Sequence, residues 1–228
     1  DWLQGSRTAV KAEGGYRINA RKIFSSGAPA GDLLMTSAVH EDPQAGPTVL
    51  HFAVPMKAEG VKILDTWRVM GMRATGSHDI EIKDFFIVEA AIGGKRPQGK
   101  WHPLFHIISM IAFPLIYSVY TGIAESARDL VVEKLLKRSV DNHTVDLVGE
   151  MENQIGMARL ALNDMFAAAA TNDPGLATTN RIMMGRTLVA RGALKAVELA
   201  MEAAAGAAFY RSAGLERLFR DIQAARYH

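Results

Sequence analysis

The spacing of apolar side chains changes once along the chain, near residue 97. Before that point they recur at twos or in runs of strand length. GGYRINARKIFSS, from Gly14, alternates around Tyr16, Ile18 and Phe24, while DLLMTSAV from Asp32 and TVLHFAVP from Thr48 are continuous apolar runs. VKILDTWRVM from Val61 and DIEIKDFFIV from Asp79 follow. Turn signals part them: Gly14-Gly15, Gly27 to Gly31, Asp42-Pro43, Gly46-Pro47 and Gly60. Short strands at near-regular spacing predict an antiparallel β-barrel or sandwich over residues 1–97.

GGKRPQGKWHP, from Gly93, punctuates the chain, and helical periods take over. A long helix is expected from about Pro103 to Arg138. A second runs from about Val145 to Ala170 with Thr144 as its N-cap, and Leu147, Val148, Met151, Ile155, Ala158 and Leu162 recur at threes and fours. Asn172-Asp173-Pro174-Gly175 stops it; a third helix spans about Leu176 to Ala204 and a short fourth Leu215 to Arg226. Short links predict an antiparallel four-helix bundle over residues 98–228, and so an α+β chain of two domains. The Met- and Ala-rich stripes read as core.

Composition narrows the function classes. The 228 residues are 49% hydrophobic and 22% charged, carry a net charge of +2, and include no cysteine. Disulfides, thiolate nucleophiles and Cys-ligated zinc are excluded, which leans toward a cytoplasmic location. No Lys/Arg block is dense, so nucleic acid is not expected as a partner. The polar opening DWLQGSRTAV does not read as a secretory leader. Ile107 to Ala124 approaches the ~18 apolar residues of a minimal membrane span. Ser109, Pro114, Ser118 and Thr121 interrupt it and the helical pattern continues beyond it, so a core helix is expected and no span. His102 and His106 lie four apart, too few ligands for a metal site.

Particular residues go further. GGYRINARKIFSSGAPAGDLLMTS resembles the flavin-facing strand pair of the acyl-CoA dehydrogenase family, and GLERLFRDIQAARYH, from Gly214, resembles its C-terminal E-R-x-x-R-D helix. The tail RDIQAARYH is most similar to the type 2 branch, which also contains flavin-dependent monooxygenases. The resemblance covers the family's middle β-domain and C-terminal bundle and lacks its N-terminal helical domain. It implies FAD as cofactor, an acyl-CoA or other small-molecule substrate, an electron acceptor, a homodimer or homotetramer, and a place in fatty acid metabolism.

Carried over residue by residue, the resemblance assigns cofactor-binding roles to Phe24, Ser25, Ser26 and Gly206. Phe24 would cover the flat ring; Ser26 and nearby backbone N–H groups would stabilise the charge of reduced flavin. EAAAGAAF, from Glu202, is similar to the family's Q-x-x-G-G-x-G-F turn and keeps Gly206, but has Glu202, Ala205 and Ala208 at the glutamine and two glycine positions. Two added Cβ atoms and a carboxylate would hinder a diphosphate there. The E-R-x-x-F-G segment is missing, with Arg138 nearest to it. Arg73, inside MGMRATGSH, is expected either to pair with Asp79 or Asp84 or to contact substrate.

Oxidation at Cα–Cβ needs a carboxylate base. The family's glutamate falls either beyond His228 or at Ala112, where alanine cannot take a proton, so no catalytic residue is named. An acyl-CoA dehydrogenase is the leading expectation. A flavin-dependent monooxygenase of the same fold, which needs no such glutamate, and a non-catalytic relative or fragment are the alternatives.

Overall fold

In a computed structural model the described residues are 3–5 and 7–228. They form two compact units: one takes the chain up to Val69 plus Arg73–His102, the other Met70–Met72 plus Pro103–His228.

The first unit is a seven-stranded sheet: β1 (Thr8–Ala12), β2 (Gly15–Lys22), β3 (Leu33–Asp42), β4 (Gly46–Pro55), β5 (Val61–Leu64), β6 (Asp79–Val88) and β7 (Gly94–Pro97), in the order β5-β6-β2-β1-β3-β4-β7. Neighbours are antiparallel except β1 and β3, which meet in parallel at Thr8 and Val39. Strict alternation shapes β2: Tyr16, Ile18, Ala20 and Lys22 turn inward while Arg17, Asn19 and Arg21 face out. Ile18, Ile80 and Ile82 share one buried cluster with Leu50, Phe52 and Val54, although three strands separate β6 from β4 in the order. The sheet therefore curls around its own core, the barrel-like arrangement expected.

Two strand bounds differ from the sequence expectation. VKILDTWRVM pairs only over its first four residues, because the His78 ring accepts the backbone N–H groups of Thr66 and Trp67, at 3.2 Å each, and bends the chain away. Within the supposed punctuation, Gly94–Pro97 pairs with β4.

The second unit holds α1 (Leu104–Leu135), α2 (Asn142–Ala170), α3 (Leu176–Ala203) and α4 (Leu215–Ile222). Tyr117, Tyr120 and Val131 of α1, Met151, Ile155 and Met165 of α2, and Ile182, Val189 and Val197 of α3 are at most 1% exposed, which makes the Met and Ala stripes core. α1 is long and apolar enough to cross a membrane by length and composition. It packs against α2, α3 and α4, and 44% of its most apolar 18-residue stretch is buried. The cap of α2 is Asp141 rather than Thr144: extended at φ −83°, ψ 168°, it accepts the Thr144 N–H at 2.8 Å. Close approach of α3 to α2 depends on Gly192, where a Cβ would lie 2.7 Å from the Gln154 carbonyl oxygen.

Met70–Met72 docks on α4. The Asp221 carboxylate accepts the Met72 N–H at 2.6 Å, and Arg220 donates to the Met70 carbonyl at 2.7 Å while held by Glu216. Between them a Cβ on Gly71 would lie 2.1 Å from the Arg220 carbonyl oxygen, so only glycine fits. The Arg220–Glu216 ion pair and Asp221 together seat this segment.

Candidate functional site

Phe24 follows β2 in the left-handed region, φ 53°, a conformation that costs a non-glycine residue about 1–3 kcal/mol. Its ring is 70% exposed and meets Trp67 edge-on at 6.0 Å, which leaves an aromatic face open. Beside it three hydroxyls are chained: Ser26 to Ser77 at 2.9 Å and Ser77 to Thr75 at 2.7 Å, with Ser77 buried. The neighbouring backbone donors are spent: Ser25 N–H bonds the His78 carbonyl, Ser26 N–H the Phe24 carbonyl and Gly27 N–H the Thr75 carbonyl. In this structure those N–H groups bond to the chain itself, and the Ser26 hydroxyl is tied to Ser77. Ser25 directs its own hydroxyl to the Lys22 carbonyl at 3.5 Å.

Lys22 occupies the inward position where alternation asks for an apolar side chain. Its ammonium donates to the Ser37 carbonyl. Burial, then the charge of Arg7, brings its pKa down to about 8.

Arg73 opens a 3-10 turn, is exposed, and donates from Nε to the Val69 carbonyl at 3.1 Å. It does not pair with Asp79 or Asp84, which belong to Arg21 and Arg17 at 2.7 and 3.0 Å. Cross-strand arginines of β2 reach those carboxylates first.

Ala205 and Ala208 of EAAAGAAF take different positions. Ala208 turns its methyl into the bundle core at 2% exposure, while Ala205 is exposed with φ 51°. Nothing lies within 4 Å of a Cβ on Gly206, so this turn presents open backbone, with exposed Glu202 remaining as the unfavourable charge. Arg138 is exposed beyond α1, and Ala112 is half-buried on it. His106 bonds Thr179 at 2.7 Å, in the other unit from His102. Among the described residues no three His, Asp or Glu side chains could hold a metal.

One cluster in the helical unit was not visible in the sequence. Tyr117 and Tyr120 of α1 are 1% exposed. Arg186 of α3 donates from Nε to the Tyr117 hydroxyl at 3.0 Å, and that hydroxyl donates to the His228 carbonyl at 3.0 Å. Tyr120 bonds the Nδ1 of His228. Burial, then Tyr117, raises the Tyr120 pKa, so this phenol keeps its proton and is the donor. His228 therefore carries its ring proton on Nε2. Burial, then the Arg186 charge, lowers the imidazole pKa and favours the neutral ring. Its members are 69 and 111 residues apart in pairs, with no local pattern to reveal them. An open cleft of about 680 Å³ between α2 and α3, lined by Leu160, Met184 and Leu188, contains none of the predicted residues.

Sheet and bundle together define a class. The acyl-CoA dehydrogenase middle-domain pattern matches residues 3–85 and the family's C-terminal-domain pattern residues 115–228. The chain belongs to the acyl-CoA dehydrogenase family, as the resemblance implied. Among individual relatives, YdbM of Bacillus subtilis (strain 168), an acyl-CoA dehydrogenase by provisional name, is 30% identical over 95% of this chain and 57% of its own. The pigment production hydroxylase of Rhodococcus sp. (strain ATCC 21145) is 27% identical over 96% and 62%. Among solved structures, KijD3 in complex with FMN and a dTDP-sugar aligns with a TM-score of 0.85 and 25% identity over 99% of this chain and 59% of that one. XiaF from Streptomyces sp., in complex with FADH2 and glycerol, aligns with 0.82 and 26% over 99% and 62%. The chain thus spans about three fifths of the relatives it matches.

Proposed function

We propose that the protein is a flavin-dependent oxidoreductase of the monooxygenase type, acting on a small molecule with reduced flavin and dioxygen. The flavin is FAD by the family resemblance; KijD3 and XiaF, solved with FMN and FADH2, support a flavin of either form. The observation that carries the reading is chemical. From Leu104 to Ala124, α1 bears no Asp or Glu, while the polar cluster on its buried side is phenol, imidazole and guanidinium. Removal of an α-proton from a thioester calls for a well-placed carboxylate. A neutral imidazole beside an arginine suits milder proton handling near pH 7.

Residues 24–26 fit a flavin ring. Phe24 offers an open aromatic face, and Ser26 a hydroxyl held in place by Ser77. The open backbone at Gly206 suits a ribose or phosphate. A bound flavin would supply two-electron transfer and, once reduced, reaction with dioxygen. The β-unit's part is to cover the ring with Phe24 and to direct the Ser26 hydroxyl; within the helical unit the Tyr120–His228 pair holds a proton. Arg73, exposed and without a carboxylate partner among the described residues, remains the proposed substrate contact of the β-unit.

The test is oxygen uptake by the flavin-loaded, photoreduced protein together with mass-spectrometric detection of an added oxygen atom in a supplied substrate. The reading fails if the flavin is inert to oxygen. The second reading, acyl-CoA oxidation, is favoured by YdbM. It is separated by whether an acyl-CoA bleaches the flavin without oxygen.

A further inference from the structure

The helical unit has ten arginines; among the described residues five pair with carboxylates, and four of the other five are exposed. Arg128, Arg159, Arg181, Arg220 and Arg226 each lie within 4.0 Å of an Asp or Glu. Arg186 does not, although it is part-buried. Among the described residues its partners are the Tyr117 hydroxyl at 3.0 Å and the Met183 sulfur at 3.9 Å. Its guanidinium stands 5.3 Å from the Phe113 ring centroid and 6.0 Å from that of Tyr117. A guanidinium has five N–H groups. The phenol takes one and the sulfur weakly a second, so about three remain for another acceptor.

The surroundings fix the guanidinium without neutralising it. Two aromatic faces hold its plane, and Tyr117 is locked by its own bond to His228. His228, whose ring feels this charge, is itself kept neutral by burial and by it. Among the described residues of the helical unit, the patch therefore carries one positive charge without an ion pair, on a planar fork. That matches a two-oxygen monoanion; a dianionic phosphate would need a second cation.

We propose that Arg186 binds the carboxylate of a small monocarboxylate substrate, an assignment that rests on the oxidoreductase reading above for the word substrate. The charged fork orients the acid end, and the Tyr120–His228 pair lies on the same aromatic wall.

Benzoate serves as the probe, titrated into the flavin-free and flavin-loaded protein and followed by calorimetry and by NMR titration of the His228 ring. Benzoate is expected to bind and to raise the His228 pKa, because it cancels the Arg186 charge that depresses it. Arg186→Gln is expected to weaken binding roughly tenfold or more and to remove the benzoate-induced shift. Arg186→Lys, which keeps the charge but not the fork, should retain part of both and serves if the glutamine variant does not fold. Equal binding by wild type and Arg186→Gln, or tighter binding of inorganic phosphate than of benzoate, would overturn the proposal. Benzoate binding by a protein that takes up no flavin would sustain the anion site and remove only the oxidoreductase reading.

Discussion

A single strained residue sets the chemistry at the edge of the β-unit. Phe24 at φ 53° turns an aromatic face outward where an ordinary strand residue would have packed or paired. Such a conformation persists only where its surroundings enforce it, and here Ser25 and Gly27 are tied to the His78 and Thr75 carbonyls on either side. Phe24→Ala and Ser26→Ala are each expected to weaken flavin binding by roughly tenfold, about 1–1.5 kcal/mol, read by fluorescence titration. Unchanged affinity in both would remove the flavin assignment. His51 gives a pH signature. Burial, then the charges of Arg96 and His102, lowers its pKa, and the neutral ring accepts the Arg96 Nε–H at 3.1 Å. The folded state then binds fewer protons than the unfolded state below about pH 6.5, so stability is full above that value and falls as the pH drops toward the folded pKa. Trp67 and Trp101 belong to the same unit as His51, so tryptophan fluorescence reports this loss in urea unfolding at pH 7 and pH 5. His51→Gln should flatten the dependence; an unaltered slope would contradict the assignment. At this scale the sequence was half legible. The family resemblance singled out Phe24 and Ser26, and alternation along β2 placed Lys22 inward, but His51 beneath Arg96 leaves no local pattern, because it depends on strand pairing.

At the scale of elements, alternation and three-four spacing located most strands and helices because each buries one face. The misses have physical causes. Asp141 caps α2 through its side chain, so the helix begins three residues before the apolar period does. β7 has no apolar alternation to show; pairing with β4 alone makes it a strand. Asp141→Ala is expected to cost about 0.5–2 kcal/mol, measured as a lower thermal midpoint of the helical signal. Gly192→Ala should cost more than its helix propensity would return, about 1–3 kcal/mol, since the new methyl meets the Gln154 carbonyl rather than a yielding side chain. A stabilised Gly192→Ala variant would mean that α2 and α3 lie farther apart than described. Gly71→Ala tests the docking of Met70–Met72 on α4 in the same way: its Cβ would fall 2.1 Å from a backbone oxygen, so local hydrogen exchange at Met72 should rise.

For the whole molecule, the family was legible because its motifs fall in order along both halves, and the two matched patterns cover residues 3–85 and 115–228. The bundle-side cluster was not, because Tyr117, Arg186 and His228 come together only when α1, α3 and the segment after α4 assemble. That cluster is what moves the chemical reading from carboxylate-driven dehydrogenation toward flavin and oxygen. Self-association into a dimer or tetramer, implied by the resemblance, is read by light scattering, and a monomer would contradict it. The most direct measurement is an anaerobic stopped-flow titration of the flavin-loaded protein with a series of acyl-CoA thioesters. A monooxygenase leaves the oxidised flavin spectrum unchanged at every chain length. Stoichiometric bleaching near 450 nm, the usual oxidised-flavin maximum at roughly that wavelength, would show hydride transfer from the thioester and contradict the reading.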